Sequence, residues 1–189
     1  MQVYTGNGKG KTTAALGLAL RAVGRDLRVL MIQFMKHWGY GEHLGAKRLE
    51  PEFRIIQVGK PYLIAREGEI DAATREQLGD DVVIFPPGAP PKEVLDLARR
   101  GMELAFEATE DPDLDVLILD EINVALHFGL IPLADVLALL DARPGELEIV
   151  LTGRHAPAEV LERADLVTEM REIKHYFARG VGARRGIEE

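Results

Sequence analysis

The stretch TGNGKGKTT, Thr5 to Thr13, restricts the fold of this chain more than any other feature, because its glycines and its lysine stand between an apolar run and a helical one. Gln2–Tyr4 reads as a strand, and Thr12–Val23 places Ala15, Leu18, Ala19 and Ala22 on one helical face. A strand, a glycine-rich turn and a helix in that order form a cradle for phosphate. Glycines allow successive backbone N–H groups to point inward around phosphate oxygens, and the helix N-terminus adds its partial positive charge. Gly6, Gly8 and Gly10 supply the glycines, Lys11 a compact cation for the terminal phosphates, and Thr12 a hydroxyl suited to Mg²⁺. Thr13 reads as a residue that caps or packs the helix. The general pattern G-x-x-x-x-G-K-[ST] is broken once, since counting back from Gly10 puts Thr5 at the first glycine position.

The rest of the chain repeats the same alternation. Strands are expected near Val29–Phe34, Phe53–Val58, Val116–Leu119, Glu148–Leu151 and Leu166–Glu169, and helices at Pro91–Thr109, Leu133–Asp141 and Pro157–Arg163. Val94, Leu97, Ala98, Met102 and Ala105 share one face of the longest helix. Short aliphatic runs alternating with helices predict a three-layer α/β fold around a mostly parallel sheet, RecA-like, with its site along the carboxyl edge. One domain, residues 1–189, is expected, with no internal repeat. The segment Gly59–Pro91 does not fit the alternation: it is rich in charge and ends in Pro86–Pro87 and Pro90–Pro91, and reads as either a lid or a flexible insertion.

A phosphate loop needs an acidic partner at the end of a neighbouring strand. VLILDE supplies it, with Asp120 and Glu121 placed to hold Mg²⁺ directly or through water, the plain alternative being two surface acids. Arg154 follows the strand in GELEIVLTG at its carboxyl end, where it can clamp phosphate or ribose. Arg21, one helix length after the loop, either does the same or pairs with an acid. His37, His43, His127, His155 and His175 show no metal-ligand spacing, so packing or surface roles are expected, with Lys174–His175 set apart from them.

Composition narrows the setting. The chain has 189 residues, 47% of them hydrophobic, enough for one buried core, yet its apolar runs are strand-sized and far from the roughly 20 residues a membrane span needs. The glycine-rich motif begins within a few residues of Met1, so no signal peptide is expected. Zero cysteines exclude disulfides, thiolate zinc sites and a cysteine nucleophile, in keeping with a reducing, cytoplasmic setting. A net charge of -8 argues against coating nucleic acid or an anionic membrane. The C-terminal tail, residues 171–189, has a local basic bias from Arg171, Lys174, Arg179, Arg184 and Arg185, whose plain reading is a solvated tail.

The stretches VYTGNGKGKTTAALGLALRAVG, VLMIQFMK, DPDLDVLILDE, IPLADVLALLDARPGELEIVLTGR, ADLVTEM and KHYFARGVGARRGIE together resemble the corrinoid adenosyltransferases of the cobalamin-synthesis type. The resemblance runs over most of the chain in family order. It implies that cobalt(I) of a reduced corrinoid attacks C5′ of the ATP ribose and that triphosphate leaves intact. It also implies that Gly6, Asn7, Gly8, Lys9, Gly10, Lys11, Thr12 and Thr13 hold the triphosphate, that Thr12 and Glu121 serve Mg²⁺ with Asp120 behind them, and that Arg21 and Arg154 contact the nucleotide. Lys11, Thr12 and Glu121 are then the catalytic set, acting on the leaving group, since cobalt is the nucleophile.

A homodimer and a flavoprotein electron donor are further implications. Two departures fall on the corrinoid side. Some members carry an N-terminal extension that helps cover the pocket, whereas here Met1 lies almost at the first expected strand. The family's two aromatic residues that help displace the lower cobalt ligand fall at about Ile84 and Pro86, leaving Phe85 nearby and Tyr62 and Trp38 farther off. A phosphate-loop ATPase or kinase, with Glu121 polarising water, is the competing reaction, and a nucleotide- or corrinoid-carrying module without turnover is the third. Intact triphosphate or ADP as product separates the first two.

Overall fold

The computed structural model describes residues 1–37, 39–69, 75–76 and 82–187. The chain opens with β1 (Gln2–Thr5), α1 (Lys11–Val23), β2 (Val29–Phe34), α2 (Gly41–Ala46) and β3 (Phe53–Val58). Then come β4 (Leu63–Arg66), β5 (Val82–Phe85), α3 (Lys92–Thr109), β6 (Val116–Asp120) and α4 (Ile122–His127). It closes with α5 (Leu133–Ala142), β7 (Glu148–Thr152), α6 (Ala158–Arg163), β8 (Leu166–Glu169) and a 3-10 turn, Tyr176–Arg179. Six strands form one sheet in the order β3-β2-β6-β7-β1-β8, with every pairing parallel. The strands expected from the sequence are these six.

Why the central strands β2, β6 and β7 read as largely apolar runs is visible in their packing. Successive side chains point to opposite faces, so Met31, Ile118 and Val150 pack beneath Ala15, Ala19 and Ala22 of α1. Ile32, Leu117, Leu119, Ile149 and Leu151 pack instead against Val94, Ala98 and Met102 of α3 and Leu139 of α5. Both faces are covered, as a parallel sheet requires. Each fully buried Leu or Ile stabilises the fold by about 1.5–3 kcal/mol relative to leaving it in water. The alanine stripe on α1 lets that helix lie close to the sheet, which fixes where its N-terminus and the phosphate loop stand.

The segment Gly59–Pro91 stands outside the main sheet. Its described residues include β4 and β5, paired in parallel with Leu63 opposite Val82 and Arg66 opposite Phe85. This small sheet is fastened to the main body near the end of α4. The Phe85 ring meets Phe128 edge-on at 5.8 Å, and the Arg66 guanidinium donates to the His127 carbonyl.

Candidate active site

The phosphate loop, Asp120, Glu121 and Arg154 collect at the carboxyl end of β1, β6 and β7. Thr5 is still a strand residue, paired with Glu169, and its carbonyl accepts from the Met170 N–H at 2.8 Å. That explains the threonine at the first position of the motif: the backbone there is extended, and the turn starts one residue later. Gly6 has φ +92, and a Cβ on it would lie 2.4 Å from the Met170 carbonyl oxygen. The loop is therefore pressed against the segment that leaves β8, and the Gly8 N–H donates to Met170 O at 2.7 Å.

Lys11 opens α1 and is buried, its ammonium donating to the carbonyls of Gly6 at 2.8 Å and Gly8 at 2.7 Å. The lysine thus holds the loop closed around its own charge. Burial lowers the Lys11 pKa, with Arg154 pushing the same way and Glu121 and Asp120 opposing.

Asp120 ends β6 with no exposed surface. Among the described residues it accepts four hydrogen bonds: Thr12 Oγ1 at 2.9 Å and Thr152 Oγ1 at 2.7 Å on Oδ1, Gln33 Nε2 at 3.2 Å and Lys36 Nζ at 2.8 Å on Oδ2. Thr152, at the end of the strand lying between β1 and β6, also accepts the Glu121 N–H at 2.9 Å.

Glu121 itself stands in the left-handed region at φ 63, a conformation that a non-glycine residue adopts at a cost and that clusters at functional sites. No hydrogen bond reaches its carboxylate among the described residues. Burial and the neighbouring Asp120 charge raise its pKa, against the pull of Lys36, Lys11 and Arg154. Lys36 shows the reverse balance. Burial lowers its pKa, but the charge and hydrogen bond of Asp120, with Glu121 and Glu42, outweigh that, and the net shift is upward.

A cavity of about 540 Å³ is lined by the loop from Asn7 to Thr13 together with Glu121 and Arg154. Asn7, Gly8, Lys9, Gly10, Lys11, Thr12 and Thr13 are thus brought to one space with Glu121 and Arg154, while Asp120 stands behind Thr12. Gly6 contributes its carbonyl to Lys11 rather than a wall. Arg21 is not among the lining residues. It sits exposed in the last turn of α1, on the face that begins at Thr13, eight residues or about 12 Å along the axis.

Several cavity residues escaped the reading from sequence. Tyr40, Gly41 and Glu42 come from α2 and its approach, a helix too short to show periodicity. Lys36 stands two residues past β2, and a lysine after a strand reads as solvated. Glu172, His175 and Ile187 bring the C-terminal tail to the rim, so the tail is a wall of the site in place of the plain solvated segment. The exemption of Lys174–His175 pointed that way for His175.

On the corrinoid side, Ile84 and Phe85 lie in β5. The Phe85 ring is 3% exposed and committed to Phe128, and the Tyr62 hydroxyl donates to Glu93 at 2.5 Å, its pKa pushed up to about 12 by burial and that bond. Trp38 lies outside the described residues. Beside them His127 and His155 stack at 4.1 Å, with His127 Nε2 3.0 Å from Glu69 Oε1, a packing role as expected.

The donor set around Thr12 is one hydroxyl and two carboxylates. Oxygen donors alone suit Mg²⁺, which takes one or two carboxylates and completes its octahedron with water and substrate phosphates. Among the described residues no group of three or more His, Cys, Asp or Glu is arranged to hold a metal by itself.

Comparison with known proteins bears on the same residues. Residues 1–188 match the family described as ATP:corrinoid adenosyltransferase BtuR/CobO/CobP. Corrinoid adenosyltransferase CobA of Salmonella typhimurium is 35% identical over 190 residues, covering 98% of this chain and 83% of that protein. The corrinoid adenosyltransferase of Escherichia coli K12 is 36% identical with the same coverage. That of Pseudomonas aeruginosa is 34% identical over 188 residues, 98% of this chain and 81% of the relative.

Proposed function

Because the chain belongs to the ATP:corrinoid adenosyltransferase family and transfers the adenosyl group of ATP to a reduced corrinoid, we propose that its phosphate loop stabilises triphosphate as the leaving group. The Co(I) lone pair forms the bond to C5′, the C5′–O bond breaks, and its electron pair departs with the triphosphate. Charge accumulates on phosphate oxygens, so what the protein must supply is positive charge and oriented N–H groups. Lys11 exchanges its two loop carbonyls for phosphate oxygens, and the loop amides from Asn7 to Thr13, other than that of Gly8, which Met170 O accepts, complete the cradle. Arg154 clamps the nucleotide from the end of β7. Arg21 extends the contact along the exposed face of α1.

Thr12 and Glu121 hold Mg²⁺, with Asp120 orienting Thr12. Bound there, the cation adds Lewis-acid neutralisation of the triphosphate. The observation that carries the assignment is the Glu121 carboxylate, held in a strained backbone beside the phosphate loop and reached by no hydrogen bond among the described residues.

The active form is a homodimer, in keeping with Leu166 and Val167 standing 47% and 46% exposed on the edge strand β8. The electron donor is a flavoprotein, and the setting is cytoplasmic, which the lack of cysteine supports. Among the described residues no helix is long and apolar enough to cross a membrane. An anaerobic assay with ATP, Mg²⁺ and chemically reduced cob(I)alamin tests the whole reading. A light-sensitive alkylcobalamin spectrum with one triphosphate per adenosyl group is expected, whereas ADP with no spectral change would overturn it.

A further inference from the structure

Lys36 has no role in the reading so far, yet the chain fixes it with unusual care. The preceding residue, Met35, is a non-glycine residue at φ 59, and its N–H donates to Val58 O at 3.1 Å. Gly59 lies so close that a Cβ there would stand 2.3 Å from Lys36 N and 2.5 Å from Met35 C. A left-handed methionine and a glycine at a backbone crossing together turn the chain at the end of β2, so that Lys36 enters the phosphate cavity instead of solvent. Its side chain is 19% exposed.

The ammonium has three donors. One goes to Asp120 Oδ2 at 2.8 Å, a long contact of 3.4 Å reaches Thr12 Oγ1, and Glu42 Oε1 lies 3.9 Å away. A counter-ion for Asp120 alone would not need to line the cavity, since Thr12, Thr152 and Gln33 already donate to that carboxylate. The charge balance points the same way. Glu42, Glu121 and Glu172 face the cavity, and Asp120 lies just behind it. A polyanion entering there meets these four carboxylates, which Lys9, Lys11 and Arg154 do not fully offset without Lys36.

We propose that Lys36 is a second phosphate-binding lysine, which contacts the triphosphate from the β2 side of the cavity, beside Thr12, and helps neutralise it as it leaves. This rests on the leaving-group reading above. Its test does not, because binding of inorganic triphosphate involves no transfer. Lys36→Gln keeps an amide donor for Asp120 and removes the charge, and Lys36→Arg keeps the charge.

Titration calorimetry with inorganic triphosphate and separately with adenosine, each with Mg²⁺, gives the readout. Lys36→Gln is expected to weaken triphosphate about tenfold or more, as loss of a charge-assisted hydrogen bond does. Adenosine binding should stay the same, and Lys36→Arg should recover most of the loss. Triphosphate affinity within about twofold of the parent in Lys36→Gln would overturn the proposal and leave Lys36 as a structural counter-ion. Should Lys36→Gln fail to fold, amine acylation of the unaltered protein decides: triphosphate but not adenosine is expected to protect Lys36. Equal labelling with and without triphosphate would overturn it.

Discussion

Thr152 carries the junction between the strand-end acids, and replacing it by valine tests that junction with little change of shape. Its hydroxyl donates to Asp120 Oδ1 at 2.7 Å and accepts the Glu121 N–H at 2.9 Å, in a side chain with no exposed surface. In Thr152→Val the part-buried Glu121 N–H has no acceptor, at a cost of about 1–2 kcal/mol. Asp120 loses one donor of four, which adds about 1 kcal/mol because three remain. The sum, about 2–3 kcal/mol, is roughly 30- to 150-fold in the folded-to-unfolded ratio and about 4–12 °C in Tm for a chain of this length. Urea unfolding measures it as a lower midpoint at unchanged slope. Thr152→Ser keeps the hydroxyl and should lose far less. A valine variant with the parent midpoint, or a serine variant that loses as much as valine, would refute the reasoning.

Lys11→Ala should lower kcat at least about a hundredfold while changing the ATP dissociation constant less, since the charge matters most as the leaving group departs; equal losses in both, from calorimetry beside steady-state rates, would contradict it. Glu121→Gln should raise the Mg²⁺ concentration needed for half-maximal activity by roughly tenfold or more, and an unchanged metal titration removes Glu121 from the site. His155 gives a pH dependence of stability: burial, with His127 and Arg154, holds its imidazole below the ordinary 6.5 against the pull of Glu69. The unfolded chain then binds that proton more readily, so this contribution is complete above pH 6.5 and is lost as pH falls toward the depressed folded value. His155→Asn tolerates the backbone at φ 60 and should flatten the slope; identical urea midpoints against pH in parent and variant would count against the assignment.

What the sequence discloses follows from what has a local signature. The inner strands β2, β6 and β7 are buried on both faces, so each is a largely apolar run, while the edge strand β8 offers only Leu166 and Val167. The phosphate loop shows itself because glycine at tight turns and lysine at phosphate are chemical necessities written in adjacent letters. The short α2, α4, β4 and β5 span four to six residues each, too few for a period to emerge. Lys36 and Thr152 escaped for another reason: one depends on a left-handed methionine, which nothing in that residue type announces, and the other on β7 lying between β1 and β6. Strand order makes Thr152 a bridge, and strand order is a property of the whole chain. Arg21 is exposed about 12 Å along the α1 axis from Thr13, and sequence spacing alone does not say how far a helix carries a side chain from its first turn.

The Met170 segment links the edge of the sheet to the phosphate loop, and that link makes the loop's amides reporters of edge opening. β8 pairs with β1 at the end of the sheet, and Leu166, Val167 and Glu169 are exposed, so it separates at lower free energy than the buried strands. When it does, the bonds Gly8 N–H to Met170 O and Met170 N–H to Thr5 O are lost together. Hydrogen exchange at Gly8 should therefore follow exchange in β8 and not global unfolding. Any ligand that tightens the loop should slow exchange at Leu166–Glu169, a strand it never touches.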